Sequence, residues 1–191
     1  MSAITAVGYF LISTFFGLVI FSLWLRIALR YFKVSSLNPF SQMIYAATNL
    51  LVNPINQLLK FKNQPGIRYD WTAFGVLITI EFLKIICISL LHFHALIPFL
   101  FLVIYVLADL IIQPLDLLVY AILIRVVMSY ANPGWRHPIA DFLRLLTEPL
   151  LILGRRVVPD VSGFDFSPFI VLIILKIITL FISYSLPWRL L

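Results

Sequence analysis

The sequence predicts an all-α membrane protein: four transmembrane helices in two parallel two-span repeats, each repeat with an amphipathic helix lying in the membrane interface. Three observations carry this. The chain is 62% hydrophobic and only 12% charged, with a mean hydropathy of +1.06, where a soluble domain carries about 25% charged residues. Four apolar runs are long enough for a hydrocarbon core, which needs about 20 residues of helix. Finally, a shift of 99 positions superposes Arg26 on Arg125, Tyr31 on Tyr130, Pro39 on Pro138, Thr48 on Thr147 and Leu51 on Leu150.

The first span is expected from about Ile4 to Tyr31, because Ile4 to Leu25 holds no charge at all. No Lys or Arg precedes this run, and it exceeds the roughly 7 to 15 residues of a signal-peptide core, so a span is expected and not a cleaved leader. Ser13 and Gly17 have the small-xxx-small spacing that lets another helix approach closely. Asn38 and Pro39 then read as N-cap and first helical position. Phe40, Met43, Ile44, Ala47 and Leu51 fall on one helical face, with Gln42, Tyr45 and Asn49 on another, the pattern of an interfacial helix. Asn53 and Pro54 are expected to restart it as a second short turn.

The second span is expected at about 71–91 and carries Glu81 and Lys84. The short HFHALIP connection leads to the third, at about 103–130, where Asp109, Pro114 and Asp116 interrupt the apolar run. The residues before 103 read as a separate turn or a kinked extension, since Pro114 lacks a backbone donor. Pro138 opens a second interfacial helix, with Ile139, Phe142, Leu143, Leu146 and Leu150 on one face and Asp141, Arg144 and Glu148 on the other. The fourth span is expected at about 168–186, ending at Pro187, with Trp188 and Arg189 as an outer anchor.

After four extra residues in the first copy the shift becomes 95, which places Asp70 on Asp165 and Glu81 on Lys176. The chain thus divides into repeats at 1–94 and 95–191. Two spans per unit make both units enter from the same side, with the pseudo-two-fold axis along the membrane normal.

Ionisable residues inside spans are the first functional candidates, because each costs about 2.5 to 3.5 kcal/mol at a span centre. Glu81, Lys84, Asp116 and Lys176 form this set. The repeat allows Glu81 and Lys176 to face each other, and Glu81 and Lys84 are helical neighbours three residues apart. The readings are an ionic lock between helices, an ion or proton path, or groups facing water or a partner. Arg26 with Asp70, and Arg125 with Asp165, are expected to pair within each hairpin, each carboxylate favoured by a helix N-terminus.

His92 and His94 do not share a helical face, and no carboxylate or thiol stands nearby, so no metal site is expected. Cys87 is the single cysteine; it excludes a disulfide within the chain and reads as a small core residue. No Walker loop, zinc spacing or nucleophile elbow occurs. Neither an enzyme nor a cofactor is expected. The net charge of +6 sits at span ends and connections, so it reads as a topology signal and not as a nucleic-acid surface.

The segments LRIALRY and NPFSQ in the first copy, and LIRVVMSY, TEPLL and RRVVPDVSGFDFSP in the second, resemble the YggT family of bacterial inner-membrane proteins. The resemblance covers roughly Leu18 to Leu186. It implies a link to osmotic or extracytoplasmic stress tolerance and cation homeostasis, while relatives in photosynthetic organisms look like assembly or organisation factors for cytochromes and nucleoids. The chain departs from the family pattern at Asn56 and Gln57, which stand where a basic pair is usual, and at Leu153, which stands where Pro is usual.

Six Lys and Arg fall between positions 26 and 70 and five between 125 and 165, with none in the middle connection. Both long connections are therefore expected in the cytoplasm and both termini outside. Arg155 and Arg156 are expected at the cytoplasmic surface, where each basic residue near anionic lipid contributes about 1 kcal/mol. Lys60 and Lys62 would give the first repeat a looser contact; the alternative is that the Arg pair only fixes topology. Beyond the bilayer and its anionic lipids, a homo-oligomer or a transporter or assembly partner is expected. Two readings remain: a protein supporting cation uptake or osmotic tolerance, and a non-transporting scaffold.

Overall fold

A computed structural model describes residues 3–59, 69–131, 137–158 and 165–187. Every regular element among them is helical. The order is α1 (Ala3–Tyr31), α2 (Pro39–Leu59), α3 (Trp71–Phe93), α4 (Phe99–Ala131), α5 (Pro138–Val157) and α6 (Ser167–Ser185). The helices α1, α3, α4 and α6 are long and apolar enough to cross a membrane. The order of span, amphipathic helix, span occurs twice along the chain.

Local chemistry sets the ends. Asn38 Oδ1 accepts the Phe40 N–H at 3.0 Å, so Pro39, with no donor to lose, can open α2. Asp70 Oδ1 accepts the Ala73 N–H at 3.1 Å and caps α3. His137 Nδ1 accepts the Ile139 N–H at 3.3 Å ahead of α5. Asp165 Oδ1 takes the Ser167 N–H at 2.9 Å at the head of α6. α3 closes on His94, whose left-handed backbone (φ 53°) returns an N–H to the Leu90 carbonyl. Buried Ser89 then staples the connection to α4, donating to the Ala95 carbonyl and accepting the Ile97 N–H.

One expected interruption is absent, and of the two readings offered for the residues before 103, a separate turn or a kinked extension, the structure has an extension of the span's helix. α2 runs unbroken through Pro54, with no restart at Asn53. α4 is a single helix of 33 residues that begins at Phe99 and passes through Pro114. A proline removes one donor, but within a span such as α4 the remaining backbone groups still have no better partner than their own helix.

Packing builds two clusters of three helices. Leu23, Val52, Ala73, Val76 and Leu77 join α1, α2 and α3. Val119, Ile122, Leu151, Val171 and Leu175 join α4, α5 and α6. A third cluster, with Ile85, Ile88, Tyr105 and Val106, ties α3 to α4, and Leu29, Ile44 and Phe142 bring α2 beside α5. On α2 the buried face is Ser41, Ile44, Thr48 and Val52, while Met43, Ala47 and Leu51 point outward. That division suits an interfacial helix, with one face packed on the protein and an apolar face turned outward.

α5 lies very close to α6. A Cβ at Gly154 would come within 2.8 Å of Val171 and 3.1 Å of the Ser167 carbonyl oxygen, so only glycine fits there. Gly17 is the opposite case. Nothing among the described residues stands within 4 Å of a Cβ added there, and the Ser13 and Gly17 spacing instead borders a cavity.

Candidate functional site

The charged groups near the helix centres form two linked sets. Lys84 on α3 pairs with Asp109 on α4, and its Nζ lies 3.3 Å from Glu81 Oε2 one helical turn back. Gln113 Nε2 lies 3.4 Å from the other Asp109 oxygen. Two turns further along α4, Asp116 accepts from Lys176 of α6 at 3.0 Å. Lys84, Asp109, Gln113 and Asp116 line one cavity of about 240 Å³, completed by Tyr9, Ser13 and Gly17 of α1 and by Thr179 and Ser183 of α6. All four spans thus contribute to its wall.

The expected facing of Glu81 and Lys176 does not occur. Each lysine is taken by an aspartate of α4, which lies between their helices, and the Lys176 side chain is 53% exposed. Asp109, read in the sequence only as an interruption, is the central anion. Its spacing of seven residues from Asp116 places both on one face of α4 and is the signal that identifies it.

A second set of sites lies at the span ends. Arg26 Nε donates to Asp70 at 3.0 Å, and its NH1 donates to Thr48 at 2.9 Å and Asn49 at 2.8 Å. The guanidinium also sits over the Tyr45 ring, 5.0 Å from its centre. Arg30 adds a second contact to Asp70 at 3.2 Å. Burial raises the Asp70 carboxyl, but the Ala73 N–H and the two arginines outweigh it and hold the group below its ordinary value.

In the second half Arg125 NH1 donates to Thr147 at 2.8 Å, matching Arg26 and Thr48, and NH2 reaches Glu148 at 2.5 Å. Arg125 does not pair with Asp165. That carboxylate is held by Arg155 at 3.0 Å, and Arg155 also bonds Glu148 at 3.1 Å. Arg155 arises where the first half has Asn56, and a side chain from α5 reaches the head of α6 more directly than one from α4. Hydrogen bonds from Arg125 lower the Glu148 carboxyl. Asp165 is also low, since the Ser167 and Arg155 bonds outweigh its burial. A half-open cavity of about 400 Å³ lies beside Arg125, Ser129, Arg155 and Asp165.

Of the four basic residues expected at lipid, Arg155 is committed to two carboxylates, and Arg156 is exposed. Lys60 and Lys62 lie outside the described residues. His92 is exposed and His94 serves as a helix cap. Cys87 is half-buried and free.

Fold and site together define a multi-pass helical membrane protein whose spans are tied by charged groups at their centres and ends. The chain belongs to the CCB3/YggT family, whose sequence profile matches residues 5–91 and again 100–186. It is 30% identical over 173 residues to the uncharacterized protein YggT of Escherichia coli K12, covering 90% of this chain and 86% of that one. It is 34% identical over 167 residues to an uncharacterized protein of Vibrio alginolyticus, covering 86% of each. An uncharacterized protein of Pseudomonas aeruginosa is 27% identical over 188 residues, covering 97% of this chain and 93% of that one. No solved structure matches the chain.

Proposed function

We propose that this protein supports cation homeostasis and osmotic tolerance from the bacterial inner membrane and is not an enzyme. One observation supports the reading: Lys84, Asp109 and Asp116 line a shared cavity to which all four spans contribute. Charged groups are kept inside spans at a cost, and they mark ion and proton routes when they line a cavity. A deletion strain exposed to hyperosmotic shock should accumulate less potassium than its parent and regain it on complementation. Unchanged potassium and growth would sink the reading.

The same proposal places both long connections in the cytoplasm and both termini outside, on the distribution of Lys and Arg. It treats the two matched segments as one unit used twice, since Arg26 with Thr48 and Arg125 with Thr147 recur at equal spacing. Labelling of a cysteine placed at Ser162 by an impermeant reagent added outside would overturn the sidedness.

A second reading, a scaffold holding anionic lipid or a partner protein, draws on Arg156, which is exposed at the end of amphipathic α5. Replacing it with Gln should lower phosphatidylglycerol or cardiolipin retained on the purified protein. Equal retention would remove that reading.

A further inference from the structure

The charges around the cavity do not balance. The titratable groups that line it are Tyr9 on α1, Lys84 on α3 and Asp109 and Asp116 on α4; Glu81 of α3 and Lys176 of α6 do not line it but pair with Lys84 and Asp116. Asp116 and Lys176 cancel. Glu81 and Asp109 share the single ammonium of Lys84, so with both carboxylates ionised the triad carries one uncompensated negative charge. That charge cannot reside easily on Glu81, which is 0% exposed and has as its cation only the Lys84 ammonium, 3.3 Å away and shared with Asp109. A buried anion in that condition is strongly disfavoured.

Lys84 and Asp109 line the cavity, and water in a polar cavity of this size gives the pair a proton source from which fully buried Glu81 is reached through the Lys84 ammonium.

We propose that the Glu81, Lys84 and Asp109 triad binds one exchangeable proton, carried on Glu81 and reached through the cavity. The Lys84 ammonium gives its proton to the Glu81 carboxylate, and the resulting amine takes a proton from hydronium in the cavity, leaving water. Glu81 ends as a neutral acid, and Lys84 and Asp109 remain an ion pair. An alkali-metal ion fits less well, because the Lys84 ammonium in the wall repels it. The inference rests on the reading of this network as a functional site and names the cation it handles.

The test is infrared spectroscopy of the full-length protein in lipid nanodiscs at neutral pH. A protonated-carboxyl band is expected; it shifts in deuterium oxide, is absent in Glu81→Gln and persists in Asp116→Asn. It should also vanish in Asp109→Asn, where Lys84 has only Glu81 to neutralise and Glu81 ionises. Should Glu81→Gln not fold, Glu81→Asp keeps the carboxyl and must move the band. No band in the parent, a band surviving Glu81→Gln or Asp109→Asn, or a band unmoved by Glu81→Asp would overturn the proposal. So would loss of the band on adding sodium or potassium at constant pH, which would indicate an alkali-metal site. The spectrum needs no cells, so a missing band leaves the potassium phenotype to stand alone, and a missing phenotype leaves the band's assignment intact.

Discussion

Arg155 Nε donates to Asp165 at 3.0 Å from the last turn of α5, while Arg26 reaches the corresponding Asp70 at the same distance from the far end of α1. The two halves thus solve one problem, a carboxylate at a span's head, with cations from different helices. The solutions differ in burial. Arg26 and Asp70 have side chains only 6% and 1% exposed, against 38% and 33% for Arg155 and Asp165.

Burial sets the expected cost of breaking each pair. Arg26→Gln leaves a buried carboxylate without its main partner and should destabilise the protein by about 3 to 5 kcal/mol. Arg155→Gln removes a solvent-screened pair and should cost at most about 1 kcal/mol. Thermal melting of the two purified variants in the same detergent checks the order, and equal melting temperatures would refute it.

Acid should act through the same carboxylates. Asp70 is held below its ordinary value in the fold, so its contribution is fully present above the unfolded value of about 4 and is lost as pH falls through the lower folded value. Stability should therefore be flat from neutral pH to about 5 and decline below about 4. Arg26→Gln should flatten the acid limb, because Asp70 then titrates nearer its unfolded value. An unchanged acid limb in that variant would remove Arg26 as the cause.

The lysines should separate as sharply. Lys84→Met leaves Asp109 buried and unpaired and should prevent stable expression or cost about 3 to 5 kcal/mol. Lys176→Met, at a half-exposed site, should cost about 1 kcal/mol or less in detergent. Exchanging Glu81 and Lys176 should give no recovery, because Glu81 pairs with Lys84 on its own helix and Lys176 with Asp116 on α4. Fluorescence-detected size exclusion of the variants distinguishes these outcomes, and recovery in the exchange would show that the two residues do interact.

Glycines offer a test of opposite sign. Gly154→Ala forces a methyl against Val171 and the Ser167 carbonyl and should cost about 1 to 3 kcal/mol. Gly17→Ala meets nothing within 4 Å and should stabilise α1 by up to about 1 kcal/mol, the helix propensity difference. Melting temperatures that move in the same direction would contradict the packing described for α5 and α6.

Hydropathy alone located the four spans, because the requirement for an apolar helix of membrane length is local and is met residue by residue. Asn38 before Pro39, and the aspartates ahead of α3 and α6, marked helix starts for the same reason: a cap acts within three residues of itself. A restart at Asn53 and Pro54 was expected from an equally local rule and did not occur, while before residue 103 the extension and not the separate turn was found. What only the tertiary structure decided is which charge meets which. Glu81 was matched to Lys176 and Arg125 to Asp165 by repeat position, but pairing depends on how each helix is rotated about its axis and on which side chain is nearer. Asp109 therefore takes Lys84, Asp116 takes Lys176, and Arg155 reaches Asp165 before Arg125 can. The cavity is of the same kind: Tyr9, Lys84, Asp116 and Thr179 are distant in sequence, and only the packing of four helices gives them a common wall.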